Sequence, residues 1–429
     1  MIFLTCIRHL ITLNVLFYST IAIEEGDKTE LYFVKDDGMN TKFPPKLSRS
    51  MYDQIPIGHL RCLGYQRHAE GPVEMTKSVI QPKDFFTKYV LKNIPLIIKG
   101  AIDTKQPIRV IWNDERLKKM HGKSKIWVIK RHEKSSKTPT KITLERFLDF
   151  YKLQDIYIAS TIPEELLSEI AYPKFMNCGP IENSLVEAEL WMAYGGTGSL
   201  LHYHGDHQVH CMADGRKDFI LIENKHKKSF KMVEKHPFTG EGYSELDTEM
   251  INMFEEKQIA SIPWIYATIE AGECIFIPAG YIHQVRSYGR SLSYNIQFAS
   301  LHNKSITKCD NNSEKDYDNL SQHDFIYTER DGIEQLKNTK LTDEDLRNIL
   351  VKLIRTASIL PYERFQYFYN TAIGKVNQKM PSAQVVFNNI DPKGDGFVTL
   401  EQILNLPGNQ LNKISKILNS IHKTRHDEL

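Results

Sequence analysis

The chain has 429 residues, of which 41% are hydrophobic and 10% aromatic, and its formal net charge is +2. That apolar content supports buried cores, and the length suits two or three domains, which excludes a disordered or low-complexity chain. So small a net charge gives no reason to expect nucleic acid as a partner.

At the N-terminus, Arg8 and His9 precede a mostly apolar run from Leu10 to Ile21, and the small residues Thr20 and Ala22 occupy the −3 and −1 positions of a cleavage site. Residues 1–22 therefore read as a secretory signal. The run is too short and too interrupted to span a bilayer, so no membrane span is expected after cleavage. The last four residues, His426-Asp427-Glu428-Leu429, form the H-D-E-L address recognised by a retrieval receptor. Both ends thus point to the lumen of the endoplasmic reticulum. Of six cysteines, Cys6 leaves with the signal, and Cys62, Cys178, Cys211, Cys274 and Cys309 remain. An odd number in an oxidising compartment leaves at least one thiol unpaired within the chain, and the spacing leaves the pairing open.

Residues 23–75 carry no clear pattern and read as a leader laid over the body. A domain is expected over 76–300. Its first half is helical in pattern. Phe85, Phe86, Tyr89 and Val90 give Lys83–Asn93 a buried stripe, and PLIIKG at 95–100 follows as a buried strand. Thr143 can cap a helix that turns Leu144, Phe147, Leu148 and Tyr151 inward. Thr161 and Glu164 have capping-box spacing for a third, with Pro163 in its first turn.

Strand patterns dominate from 185 to 300. They cover Leu185 to Tyr194, Ser199 to Asp206, Asp218 to Glu223, Glu273 to Ile277 and Leu292 to Phe298, with the turn Gly195-Gly196-Thr197-Gly198 after the first. Short strands joined by glycine-rich turns favour a barrel or jelly roll, and helices before strands make the class α+β. The acidic stretch 240–258 is a candidate rim for a basic substrate group. Residues 301–325 read as a polar linker with three glycosylation sequons, at Asn303, Asn311 and Asn319. Residues 326–422 form a small all-α domain, in which Leu346, Ile349, Leu350, Leu353 and Ile354 line one helix face.

Within that domain, residues 391–402 read as an EF-hand-like loop, with Asp391 and Asp395 at positions 1 and 5 and Gly396 at the turn. Asp391, Asp395, Phe397, Thr399 and Gln402 are its calcium ligands on this reading. The site is a weak one, because Lys393 replaces an oxygen ligand and Gln402 replaces the closing glutamate. A vestigial loop that packs without metal is the alternative.

Four histidines, His202, His204, His207 and His210, fall within nine residues. On a strand, 202 and 204 point to one side, and His283 follows Pro278-Ala279-Gly280 at the end of a later strand. Two histidines from one strand and one from another suit a metal in the mouth of a jelly roll.

The segments GTGSLLHYHGDHQVHCMADGRKDFILI, AGECIFIPAGYIHQV and SLSYNIQF resemble the cupin-like Jumonji-C oxygenases, as do DFFTKYVLKNIPLIIKGA, TLERFLDFY and DIYIAS before them. The resemblance runs from about Lys83 to Phe298. It implies a double-stranded β-helix (jelly roll, cupin-like) with N-terminal helices, using Fe(II) and 2-oxoglutarate to hydroxylate a protein or peptide side chain in the lumen. His202 and His283 match the first and last iron ligands of the family. Lys217, Ser199, Tyr157 and Asn295 match positions that contact the cosubstrate. The family's second ligand is Asp or Glu, and here that position holds His204. Asp206 is the alternative ligand, at the cost of the spacing to Lys217. The lumenal address sets chromatin aside as a substrate. The competing expectation is a catalytically inactive lumenal binding protein of the same fold.

Overall fold

Two long antiparallel strands, His207–Ile222 and Ile282–Phe298, form the spine of the main domain, paired in register from His207↔Phe298 to Ile222↔Ile282. The computed structural model describes residues 19–25, 28–34, 37–47, 54–103, 105–130, 140–236, 241–299, 309, 319–330, 333–336, 341–354, 359–373 and 380–426. Both long strands are buried along most of their length, which is why their sequences are rich in apolar residues on both faces. Each meets different neighbours along its two halves. His207–Ile222 pairs first with Cys274–Ile277 and then with Ile265–Glu270. Ile282–Phe298 pairs first with Thr197–Gly198 and His202–Tyr203, and then with Leu185–Tyr194. From there one wall runs through Ile156–Thr161 and Lys125–Lys130 to Thr140–Thr143, and the other through Glu241–Ser244 to Met232–His236. The result is a mixed 14-stranded sheet of jelly-roll type.

The change of neighbours occurs at an irregularity. Register shifts fall between Met212 and Asp214 and between Asp214 and Arg216. Gly215 sits there at φ +77°, and a Cβ on it would lie 2.6 Å from the Arg290 carbonyl oxygen. Only glycine fits such a close, left-handed crossing.

The N-terminal helical segments cover one side of this sheet. Pro82–Phe85 continues into a π-helical turn, Phe86–Val90, rather than a single α-helix. Phe85 is fully buried, edge-on to Phe175 and Phe276 at 5.0 and 5.2 Å. Thr143 accepts from the Arg146 amide and caps Leu144–Phe150, whose Leu144, Phe147 and Leu148 are buried. The capping box at 161–164 is absent. Thr161 instead ends the strand Ile156–Thr161, where it pairs with Glu189 and its hydroxyl donates to Glu187, and Glu164–Glu169 is a 3-10 helix without a side-chain cap. Sheet pairing has overridden the local helix-start pattern.

Part of the 23–75 stretch lies against the strands. Met39 and Thr41 carbonyls accept from Arg216, Phe43 meets Tyr266 edge-on at 5.9 Å, and Gly71–Pro72 runs parallel to Ile265–Glu270. Further upstream, Ser19–Glu25 pairs with Lys28–Val34. Residues 1–18 of the expected signal segment lie outside the described residues, as do Cys6, Asn303, Asn311 and Asp427, Glu428 and Leu429 of the expected H-D-E-L address. Asn319 is described. Its Oδ1 accepts from the Ser321 amide and hydroxyl, which leaves its amide nitrogen outside that network.

Two disulfides join segments far apart in sequence, Cys178 to Cys309 and Cys211 to Cys274. The second links residues directly opposite one another in the sheet. Among the described residues Cys62 is the free thiol, and it donates to Glu249.

The C-terminal helices Asp343–Ile354, Tyr362–Ile373, Ala383–Phe387, Leu400–Leu404 and Gly408–His426 share their own core, which includes Leu350, Phe365, Phe387, Ile403 and Leu411. A short ladder pairs Ile359–Pro361 with Phe397–Thr399. In the loop, the Asp391 carboxylate accepts the amides of Gly394, Asp395 and Gly396. Gln402, expected to close a calcium shell, instead accepts from the Thr399 amide and completes a capping box. Backbone donors thus occupy the side chains at both ends of the loop. Among the described residues no helix is long and apolar enough to cross a membrane.

Candidate metal and cosubstrate site

Sequence reading placed His202 and His204 on one strand. The strand is shorter than the 199–206 pattern suggests and covers only His202–Tyr203, paired to His283 on one side and to Tyr243 on the other. His204 follows in the turn, where its carbonyl accepts from the Gly280 amide. The turn nevertheless brings the three imidazoles together. One nitrogen from each of His202, His204 and His283 lies within 4.8 Å of the others, and among the described residues this is the group able to hold a metal ion. Asp206, the alternative ligand, is buried nearby in sequence but is not one of the three.

The donor set fits a metal. His202 Nδ1 lies 2.8 Å from the Leu200 carbonyl and His283 Nδ1 lies 2.9 Å from that of Tyr281. A carbonyl only accepts, so each Nδ1 carries the proton and each Nε2 keeps its lone pair for a ligand bond. Burial, with His202 and His204 beside it, holds His283 well below the ordinary imidazole range, so it is neutral as a ligand must be.

The other two histidines of the cluster have different tasks. His207 Nδ1 accepts from the Ala279 amide at 3.0 Å and so braces the turn that leads into His283. His210 lies deeper, its Nε2 3.1 Å from Lys217 Nζ and 2.9 Å from Ser293 Oγ.

Lys217, Ser199, Tyr157 and Asn295 all line the cavity that contains the three-histidine group. Lys217 is 3% exposed and donates to Ser293 Oγ at 2.7 Å. Burial lowers its ammonium to about 7. Ser199 Oγ accepts from the Val285 amide at 3.0 Å, which leaves its hydroxyl proton available to an anion. Tyr157 lies parallel to Trp191 at 6.2 Å. Asn295 Nδ2 donates to Glu189 at 2.8 Å, which fixes the amide with its Oδ1 buried and without a hydrogen-bond partner. Gln208 Nε2, in the same cavity, is also buried and unpartnered. Buried polar atoms of this kind are stable only when a ligand or water completes them. Among the described residues, none of the acidic stretch 240–258 lines the cavity. Glu249 is engaged by Gln284, and Glu256 by Lys231.

Sequence reasoning missed Gln208, Trp191 and the role of His210. Alternation counted back from Lys217 would turn 209 and 211 inward. The irregularity at 212–216 shifts the parity, so that Gln208 and His210 face the cavity together with Lys217 and Phe219.

This geometry defines a candidate metal site in the mouth of a jelly-roll sheet. A family model for the cupin-like domain matches residues 82–304, and the chain belongs to that family. Within it, the chain is similar to Jumonji-C proteins. It is 23% identical over 240 residues to the lysine-specific demethylase JMJ30 of Arabidopsis thaliana, covering 52% of this chain and 54% of that protein. It is 25% identical over 253 residues to JmjC domain-containing protein D of Dictyostelium discoideum, covering 51% and 55%. The chain thus spans about half the length of these curated relatives. A shorter match, 28% identical over 141 residues, is to the lysine-specific demethylase JMJ31 of Arabidopsis thaliana, covering 32% of this chain and 24% of that protein.

Proposed function

We propose that the chain is an Fe(II)- and 2-oxoglutarate-dependent oxygenase of the endoplasmic reticulum lumen that hydroxylates a side chain of a protein or peptide. The observation that carries this reading is a three-imidazole group and a buried lysine in one cavity. His202, His204 and His283 would hold the metal. Iron with 2-oxoglutarate supplies the activation of dioxygen that no protein side chain provides. The chain's own residues bind and orient. Lys217 gives the cosubstrate's distal carboxylate a cation in a dry setting, where an ion pair is strong. Ser199 and Tyr157 place hydroxyls in the same cavity, and the buried amides Gln208 and Asn295 have hydrogen bonds still to make. Lys217, His210 and Asn295 are all buried, so this end of the cavity is closed to bulk water.

The lumenal placement rests on the signal-like N-terminus, the H-D-E-L address and two disulfides, which persist in oxidising compartments. Its partners there are the retrieval receptor and the protein substrate.

One observation favours a second reading, a metal-binding but inactive lumenal protein. His204 is neutral where the Jumonji-C pattern has a carboxylate, so a divalent ion keeps more of its charge. Anaerobic titration with Fe(II) and 2-oxoglutarate separates the two. A visible charge-transfer band that is lost on admitting oxygen supports the oxygenase. Iron binding without the band supports the binding protein, and His204→Asp is then expected to create the band.

A further inference from the structure

We infer that His210 is a positioning residue for Lys217, holding the lysine ammonium in place so that it can receive the carboxylate of the cosubstrate; this rests on the oxygenase reading of the cavity. His210 Nε2 is within hydrogen-bond reach of both Lys217 Nζ and Ser293 Oγ, and Lys217 Nζ also reaches Ser293 Oγ. The three side chains close a triangle at the inner end of the cavity, on the two long strands. An ammonium has three donors and no acceptor, so Nε2 must accept and the imidazole proton sits on Nδ1. Two of the three ammonium donors are then taken by His210 and Ser293, and one remains for a ligand.

The setting explains why such a brace is needed. Lys217 is 3% exposed and His210 6%, and no carboxylate of the described residues pairs with the lysine. The groups facing them are Trp191, with its ring 5.6 Å from Lys217 Nζ, and Phe219, edge-on to His210 at 5.7 Å. Neither ring fixes the direction of a flexible four-carbon stem. Burial and the neighbouring lysine hold His210 well below the ordinary imidazole range, in keeping with a neutral acceptor. A histidine that only filled space between two aromatic rings would not need to present a nitrogen to both Lys217 and Ser293.

Two substitutions separate bracing from packing. His210→Phe keeps a flat ring between Trp191 and Phe219 and removes the acceptor. His210→Gln keeps a neutral acceptor and gives up the ring. Binding of 2-oxoglutarate is measured under argon with Mn(II) on the full chain. His210→Phe is expected to weaken it about tenfold or more, the effect of removing a hydrogen bond to a charged group, and His210→Gln to restore most of the loss. Wild-type binding in His210→Phe, or an equal loss in both variants, overturns the inference. A second readout needs no cosubstrate. In the nitrogen-15 spectrum, His210 is expected to show an unprotonated, hydrogen-bonded Nε2 whose resonance moves in Lys217→Met. A His210 resonance that ignores Lys217→Met overturns the brace. If the wild-type chain binds no 2-oxoglutarate at all, the oxygenase reading fails and the spectrum alone decides the role of His210.

Discussion

Lys217 shows how a single side chain can be costly to the fold and useful to the site. In the unfolded chain its ammonium titrates at the ordinary lysine value, whereas in the fold burial lowers it to about 7. Between these values the unfolded chain holds a proton that the folded chain lacks, so stability rises with pH across that window. Below it both states hold the proton, and the full cost of burying the charge is felt. Lys217→Met is therefore expected to unfold later than wild type near about pH 6, by on the order of 2–4 kcal/mol, with the gap closing toward about pH 10. Denaturant melts at the two pH values check this. The same variant is expected to lose 2-oxoglutarate binding. His202, His204 and His283 could be grouped from strand alternation and a later strand end, Lys217 was named only through the resemblance to the Jumonji-C pattern, and one cavity brings the four together. His210 was visible as a histidine and silent as to its role, because strand parity changes between it and Lys217.

At the scale of elements, the irregularity around Gly215 decides which residues enter the cavity. Any Cβ at that position meets the backbone of the crossing strand, with the Tyr288 carbonyl oxygen at 2.8 Å and that of Arg290 at 2.6 Å. Gly215→Ala is expected to destabilise the fold by roughly 1–3 kcal/mol, since a left-handed position and a close contact are both violated. It is also expected to weaken 2-oxoglutarate binding, because Lys217 lies two residues on. A lowered melting temperature with unchanged affinity would mean that the irregularity does not aim the lysine. The strands around it were legible as separate runs, such as Asp218 to Glu223 and Leu292 to Phe298. That these are parts of two continuous long strands was not, because polar and glycine residues at 214–216 and 289–290 interrupt the apolar pattern. The capping pattern at Thr161 and Glu164 misled for a related reason, since a helix start is a local signal and pairing with Glu189 is not.

At the scale of the whole molecule, two cores share no residue, one built around Phe85, Phe276 and Phe298 and the other around Phe365, Phe387 and Leu411. The Cys178–Cys309 bridge staples the segment between them to the first core across a sequence separation of 131. A Cys178→Ser/Cys309→Ser variant is expected to lose about 2–5 kcal/mol, read as an earlier denaturant midpoint. Pairing of this kind is illegible in sequence, because it depends on which distant segments the topology brings together. Calcium is expected to leave the unfolding of the C-terminal helices unchanged. A calcium-dependent rise in melting temperature would mean that the Gln402 cap gives way to the ion.

The placement of the three imidazoles and the buried lysine in one cavity has a thermodynamic consequence. Neither group brings a negative charge, so a divalent ion and an ammonium would each raise the local potential felt by the other. An anion bound between them relieves both. Metal and 2-oxoglutarate should therefore load as a linked pair, each tightening the other by the same factor, as reciprocity demands. The factor should shrink in His204→Asp, where a carboxylate supplies in advance part of the charge that the cosubstrate otherwise brings.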